Sequence, residues 1–556
     1  MAKLTRRAFV QGSVATMATV ALGGCRSLGL REGLPRPSPS DPLTTYDPHL
    51  YLFVDDHWIE RRDELERVVN EPRPLPEPVV WPEDPRTQSD AAWGNVIRER
   101  DGRFRMWYCT LMLGAAGGGH HEMAKAGVWG RGAEYGFHPR SSADVPETDA
   151  ALGKYAESTD GIHWTKPELG LYELHGSKRN NIILNGERAR RQTNGAVTNF
   201  DGCTVIRDDA EPDPMRRYKM ISHWESIHCH DNKDVSGFLG RSEEDLERFR
   251  AARGKYLTYS PDGVLWDQPF EKIRFPDGGG DRFLVVRDHR NERWFGYSRV
   301  ASHQAAAFSY STNLRDWSAP EVETVITPAA VQAPKVECLI PFNYGNQDLG
   351  VPVGMDKDRS MAKGARAMIP FLASHHDGGS WRLVGDGKPF ISPGPPGSYY
   401  ATGAVPLHNE PFILGNQMIF YFNAFSRYQE TPCPFGDRTI GVARLRRDGF
   451  VSLEHCPTQP PGRLQTRPVR VAGSELQLNV APAAGRGSVE VALEDAEGHP
   501  IAGFDFEDSV PLEADSVRVP VRWRHGGTIE RLSGQDVRVA LRLRGPVAVY
   551  AFRFGA

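Results

Sequence analysis

Three stretches of the chain repeat one local pattern. KYAESTDGIHW ends at Trp164, KYLTYSPDGVLW at Trp266 and AFSYSTNLRDW at Trp317; in each, a serine is followed two residues on by Asp or Asn and six residues on by Trp. LASHHDGGSW, with Ser374, Asp377 and Trp381, is a slipped copy, and GVARLRRDGF keeps the turn at Asp448 with Phe450 in place of tryptophan. Each copy reads as a strand, an Asp-Gly or Asn turn, and an aromatic that covers the next strand. Two further strands precede each copy, as in GNVIRERDGRFRMWY before the first and RFLVVRDHRNERWFGYSR before the third. Four-strand units repeated five times predict an all-β fold, a five-bladed β-propeller over residues 46–455.

A chain of 556 residues has room for more than one such body. The Pro-rich run CPTQPPGRLQTRP marks a boundary, and beyond it ELQLNV, SVEVALED, SVRVPVRW, DVRVALRLR and VAVYAFRF alternate apolar with polar residues. Strands with one wet face predict a C-terminal antiparallel β-sandwich over 462–556, a support or an accessory sugar contact. Helix signals are few: SEEDLERFRAAR carries a capping pattern, Ser242 with Asp245. The Gly-rich stretch near His120 and His121 lacks the G-K-[ST] ending of a phosphate loop and reads as a solvated loop. Net charge is −4 with Lys and Arg dispersed, which excludes a nucleic-acid field.

The first 25 residues read as an export signal. TRRAFVQ places paired arginines before a mild apolar run, which resembles a twin-arginine signal, and LGGC resembles a lipoprotein box with Cys25 as the acylated residue. Residues 26–45 read as a linker. No later segment approaches the roughly 20 apolar residues of a membrane span, so the expected location is periplasmic or cell-surface, with the membrane reached only through the lipid anchor. Of the remaining cysteines, Cys203 and Cys338 sit in apolar strand contexts as buried thiols, and Cys433 with Cys456 is one conceivable disulfide.

The run KVECLIPF, 335–342, holds the chemistry. A carboxylate among strand residues is costly unless it is paired or used. In a propeller the innermost strands begin at one face, so acidic residues at their starts converge. Aligning the VIR, VIR and VVR runs puts Asp201 and Asp281 four residues ahead of Val205 and Val285, with Asp90 slightly early in the first unit. Asp55 and Asp56 are fallbacks there, and Tyr400 takes the corresponding place in the fifth unit. Crowded carboxylates push one pKa upward, which is how a general acid stays protonated beside an ionised partner. That pair is the apparatus of glycoside hydrolysis. Trp93, His223, Trp224 and Arg299 are the expected sugar contacts. The chemistry requires no cofactor or metal, and a structural calcium ion stays open.

These motifs resemble the five-bladed propeller glycoside hydrolase superfamily, the furanosidase-type families 32, 43 and 68. The family acid often stands in an E-C pair, which Glu337-Cys338 matches, and VVRDHRN, with Arg287 and Asp288, is similar to its R-D-P element except that His289 replaces the proline. The N-D-P-N-G opening of the fructan enzymes is absent. LFVDD, STDGIHW and SKRNNIIL also resemble elements of a group of exported bacterial propeller proteins. The resemblance implies an exo-acting glycosidase on a poly- or oligosaccharide. Glu337 would be the acid, Asp90 or Asp201 the base or nucleophile, and Asp281 the orienting carboxylate. A propeller that holds sugar without cutting it, and a phosphorylase using Arg287 and Arg299, are the alternatives.

Overall fold

The computed structural model describes residues 34–81, 91–111, 151–174, 176–225, 242–275, 284–300, 305–319, 326–356, 367–376, 380–426, 433, 435, 438–455, 460–483 and 486–555. It is built of strands, almost all in antiparallel pairs. Ala91–Arg98, Phe104–Leu111, Ala151–Ser158 and Ile182–Asn185 form one sheet in chain order, and Asn199–Arg207, Tyr218–Glu225, Gly254–Ser260 and Glu271–Lys272 a second. Leu284–Asp288, Arg293–Val300 and Ala305–Ser311 make the third. Lys335–Tyr344, Gln347–Asp356, Ala373–His375 and Arg382–Leu383 follow as a fourth group. The fifth is Gly403–Pro406, Gln417–Phe425 and Arg438–Arg446, completed from the N-terminal side by Arg73–Pro74. A parallel bridge, Met368 to Gly403, ties the fourth group to the fifth.

The repeated motif is a hydrogen-bonded staple. Asp160 Oδ1 accepts from the amides of Ile162 (2.9 Å) and His163 (2.8 Å), while Ser158 Oγ accepts from Gly161 N (2.9 Å). Asp262 with Ser260, and Asn313 with Ser311, repeat the arrangement within about a tenth of an ångström. The short polar side chain holds the turn by imitating backbone. The residue after the Asp or Asn needs a left-handed backbone, supplied by Gly161 (φ 77°) and Gly263 (φ 73°); Leu314 adopts it at φ 65° against the usual steric preference.

Each staple docks on the preceding sheet. Gly161 O accepts from Tyr421 of the fifth group (2.8 Å), and Gly263 O from the Trp107 indole of the first (2.6 Å). Leu314 and Trp317 pack with Ile206, Ile221 and Tyr259 of the second. Trp381 lies 5.5 Å from Phe308 of the third, and Phe450 lies 4.8 Å from Tyr344 of the fourth. The docking order therefore closes on itself. The tryptophans cover their hairpins as the sequence implied; Asp377 of the slipped copy lies outside the described residues.

The two ends of the chain build a separate body. Two antiparallel sheets, one centred on Val547–Gly555 and the other on Asp536–Arg544, enclose a core of Val, Leu, Ile and Phe. The sequence places residues 46–455 in one domain, but Leu50–Leu52, Ile59–Asp63 and Leu65–Val69 pair with Val547–Gly555, Gly462–Thr466 and Val451–His455. LYLFV is buried on both faces: Tyr51 and Phe53 enter the terminal body's core, whereas Leu50, Leu52 and Val54 pack on the fourth and fifth groups. Alternation in a sequence states that a strand exists, not which sheet receives it.

The linker reading also changes. Arg98, 5% exposed, donates to Ser38 O (2.5 Å) and to Asp41 O (3.3 Å), so the Pro- and Ser-rich run is docked from Leu34 onward, where description begins. Glu243–Ala252 is the expected helix with its Ser242–Asp245 capping box, and a further helix, Gly186–Gln192, is capped by Asn185. Cys203 and Cys338 are buried free thiols; Cys203 Sγ lies 3.7 Å from Cys109 Sγ. Cys433 is also a free thiol, while Cys456 and Cys25 lie outside the described residues. Among the described residues no helix is long and apolar enough to cross a membrane, which says nothing of strands.

Candidate active site

Three inner strands share an irregularity near their starts. Ala92 pairs with Cys109 and Gly94 with Tyr108, leaving Trp93 without a ladder partner. Cys203 pairs with Ser222 and Asp201 with His223, leaving Gly202, whose φ of 76° suits a glycine bulge. Val336 pairs with Gly354 and Cys338 with Val353, leaving Glu337. The extra residues are the third, fourth and third of their strands. A bulge frees one residue from the ladder and re-aims its side chain, and bulges gather at barrel rims and beside active sites.

Glu337 is 3% exposed, with Lys335 Nζ 3.1 Å from its Oε2. Val336 and Cys338 on either side enter the apolar core. The Tyr297 hydroxyl donates to Glu337 O (3.1 Å), and Tyr297 is the ladder partner of Leu284, so the bulge is pinned to the start of the third inner strand. In the second sheet His223 stands directly between Asp201 and Lys255 in the register. Its Nδ1 lies 3.0 Å from Lys255 Nζ, the donor and acceptor roles following the imidazole tautomer.

Deeper along the strands the first, second and fifth groups meet. The Asn95 amide spans Val205, donating to its carbonyl (2.7 Å) and accepting from its amide (2.9 Å). Thr204 Oγ1 lies 3.0 Å from His408 Nδ1, and His408 N donates to Gly94 O (3.0 Å). The opposite end is filled: Thr45 Oγ1 donates to Asn343 O (2.5 Å) and contacts Glu410 Oε2 (2.7 Å), and His289 N donates to Asn343 Oδ1 (2.6 Å). That end is thus occupied by the 38–45 segment.

The structure sorts the other sequence candidates. Asp90 and Asp281 lie outside the described residues, and for Trp93, Asp201 and Arg299 only the backbone is described. Trp224 does not offer a platform: it is 1% exposed, stacked on Tyr256 at 3.9 Å and donating to Ser222 Oγ (2.9 Å). A face already buried against another ring cannot take a sugar. His223 is in the expected sheet but buried, touching Lys255. The R-D-P-like run lies at the other end of the strand: Asp288 adjoins Asn343, six residues and roughly 20 Å along it from Glu337. There it is completely buried and accepts from Asn291 Nδ2 and Arg293 Nε, both at 2.9 Å, while Arg287 lies over the Trp294 ring.

The fallback acids sit away from the bulges too. Asp55 accepts from Ser374 Oγ (2.7 Å) and lies 2.8 Å from His376 Nε2; burial pushes its carboxyl up, but those bonds and the His376 charge outweigh this and hold it at about 2. Asp56 is paired with Arg67. Tyr400 lines a cavity beside the terminal body. Lys335, Lys255, Asn95, Thr204 and His408 escaped sequence reasoning. A lysine two residues before a strand glutamate was the one available signal. Among the described residues no cluster of His, Cys, Asp and Glu is arranged to hold a metal.

No family model matches the chain, and no curated protein matches it. Among solved structures it is similar to a glycoside hydrolase at 12% identity and TM-score 0.43, over 68% of this chain and 92% of the other. It is similar to a fructofuranosidase from Schwanniomyces occidentalis solved with fructosylnystose, at 8% identity and TM-score 0.36, over 88% and 98%. An exo-β-1,3-galactanase from Phanerochaete chrysosporium solved with β-1,3-galactotriose is similar at 11% identity and TM-score 0.36, over 86% and 100%.

Proposed function

We propose that the protein is an exported, exo-acting glycoside hydrolase whose reaction takes place at the bulged end of a five-bladed β-propeller, with the terminal body as a β-sandwich accessory domain. The observation that carries the reading is Glu337: a nearly fully buried carboxylate released from a strand ladder by a bulge, level with two other bulges. The closed docking order of the three staples and of the Trp381 and Phe450 rings supports the blade count. Glu337 donates its proton to the leaving glycosidic oxygen, Asp90 or Asp201 attacks or activates water, and Asp281 orients them. Export through the twin-arginine signal and anchoring at Cys25 complete the proposal, and a palmitate-labelling assay with Cys25→Ala tests the anchor. Digestion of a glycan panel with product masses tests the activity; Glu337→Gln and Asp281→Asn both retaining full hydrolysis would overturn these roles.

One observation favours a binding protein instead. Lys335 beside Glu337 stabilises the carboxylate, the form a general acid must avoid in its resting state. That reading requires saturable glycan binding with no change in glycan mass.

A further inference from the structure

Two thiols from different sheets meet in the core between the first and second groups. Cys109, on the second strand of the first sheet, is 0% exposed, and Cys203, on the inner strand of the second, is 2% exposed. Their sulfurs lie 3.7 Å apart, although the residues are separated by 94 positions in the chain. The other cysteines among the described residues, Cys338 and Cys433, pack in two different core clusters. A packing role asks only for a small apolar side chain at each position and does not require sulfur opposite sulfur.

The pair also spans two of the bulged strands. Cys109 is the ladder partner of Ala92, the residue before the Trp93 bulge, and Cys203 directly follows Gly202, the extra residue of the second bulge. Leu184, Phe200 and Val205 share the apolar cluster around both sulfurs. Bonded sulfurs sit about 2.05 Å apart, so closure asks the two atoms to approach by roughly 1.7 Å, a movement on the scale of side-chain rotation.

We propose that Cys109 and Cys203 form a redox-sensitive clamp, closed by a peroxide into a disulfide across the seam between the first and second sheets. Cys203, the less deeply buried, reacts first. Its sulfur attacks one peroxide oxygen, the O–O bond breaks, and the departing oxygen leaves as water with the thiol proton. The Cys109 sulfur then attacks the Cys203 sulfur, and the S–O bond breaks to release a second water that carries the Cys109 proton. Two electrons pass from the thiols to the peroxide. The exported setting proposed above is one in which disulfides persist. The clamp does not depend on Glu337 and survives if the hydrolytic reading fails.

Peptide mapping by mass tests it, on the full folded chain treated with dilute hydrogen peroxide and then blocked with an alkylating reagent. A linked Cys109–Cys203 peptide should appear and be lost on adding dithiothreitol. The oxidised protein should melt several degrees higher than the reduced one, because the link closes a long loop of the unfolded chain. Cys203→Ala should remove both the link and the dithiothreitol-reversible shift, and Cys109→Ala serves in its place if that variant does not fold. Cys433→Ala should leave both unchanged. Cys109 joined as often to Cys338 or Cys433, a sulfinic acid at Cys203 in place of the link, or a melting temperature that dithiothreitol does not move would each overturn the proposal.

Discussion

Glu337 and Asp288 are both buried carboxylates on neighbouring inner strands, at opposite ends of the same axis. Asp288 is saturated from its own hairpin: Asn291 and Arg293, three and five residues on, supply its hydrogen bonds and its counter-charge. Glu337 belongs to no turn. It sits at a bulge inside a ten-residue strand, its backbone pinned by a tyrosine from the next sheet and its charge met by Lys335. Burial alone does not separate a structural acid from a reactive one. On the proposed reading the origin of the partners does: Asp288 is held by residues of its own turn, whereas Glu337 is re-aimed by a bulge, a device that gathers at functional sites.

The widest separation between the two should come from paired substitutions. Glu337→Gln is expected to slow glycan hydrolysis by about 10²–10⁴-fold, the span of general acid catalysis, with little change in melting temperature. Asp288→Ala should do the reverse: destabilise by about 3 kcal/mol in denaturant titration, as when one partner of a buried charge pair is removed, with turnover per folded molecule retained. If both variants lose stability and keep turnover, the two acids are equivalent and the distinction collapses.

Asp55 sharpens the same contrast through pH. Its carboxyl is held at about 2, below the ordinary aspartate value of about 3.9. A depressed folded-state pKa contributes stability above the unfolded value and loses it as pH falls through the folded one. Asp55 should therefore supply roughly 2 kcal/mol at neutral pH that fades between about pH 4 and 2. Asp55→Asn should flatten stability against pH in that window. A profile unchanged by the substitution would remove Asp55 from the set of acids held ionised by fixed partners, here the distant Ser374 and His376.

The smallest effect is expected at the repeated staple. Asp262→Ala removes two backbone bonds of 2.8 and 2.9 Å in a partly exposed turn, and should cost about 1–2 kcal/mol in chemical denaturation. Asp160→Ala should cost at least as much, since that carboxylate makes the same two backbone bonds and also lies 2.7 Å from His163 Nδ1.

Much of the sheet architecture was legible because its determinants are local. The Ser-x-Asp staple, the alternation of the C-terminal strands and the Ser242 capping box each involve residues within a few positions of one another, and each occurs where the sequence places it. The site was legible only in outline. Glu337 stands out as a charge in an apolar run, but its bulge depends on pairing with Gly354 and Val353, and nothing in KVECLIPF announces a skipped partner. Trp224 misled for the same reason: a tryptophan near a strand end reads alike whether its face meets solvent or Tyr256. The R-D-P-like run shows the same limit, because a motif carries no statement about which end of its strand it occupies: Asp288 lies beside Asn343, away from Glu337.

The sequence by itself determined that this chain makes many short strands, joined by hairpins held by short polar side chains and covered by aromatics, because those choices rest on backbone preferences a few residues long. Tertiary structure alone decided that LYLFV closes the distant C-terminal body, that the Ser38–Thr45 run fills one end of the axis, and that Arg73 pairs with Arg444 on the neighbouring strand. Those outcomes depend on which apolar faces find each other across hundreds of residues, and burial rewards any complementary face without regard to sequence distance.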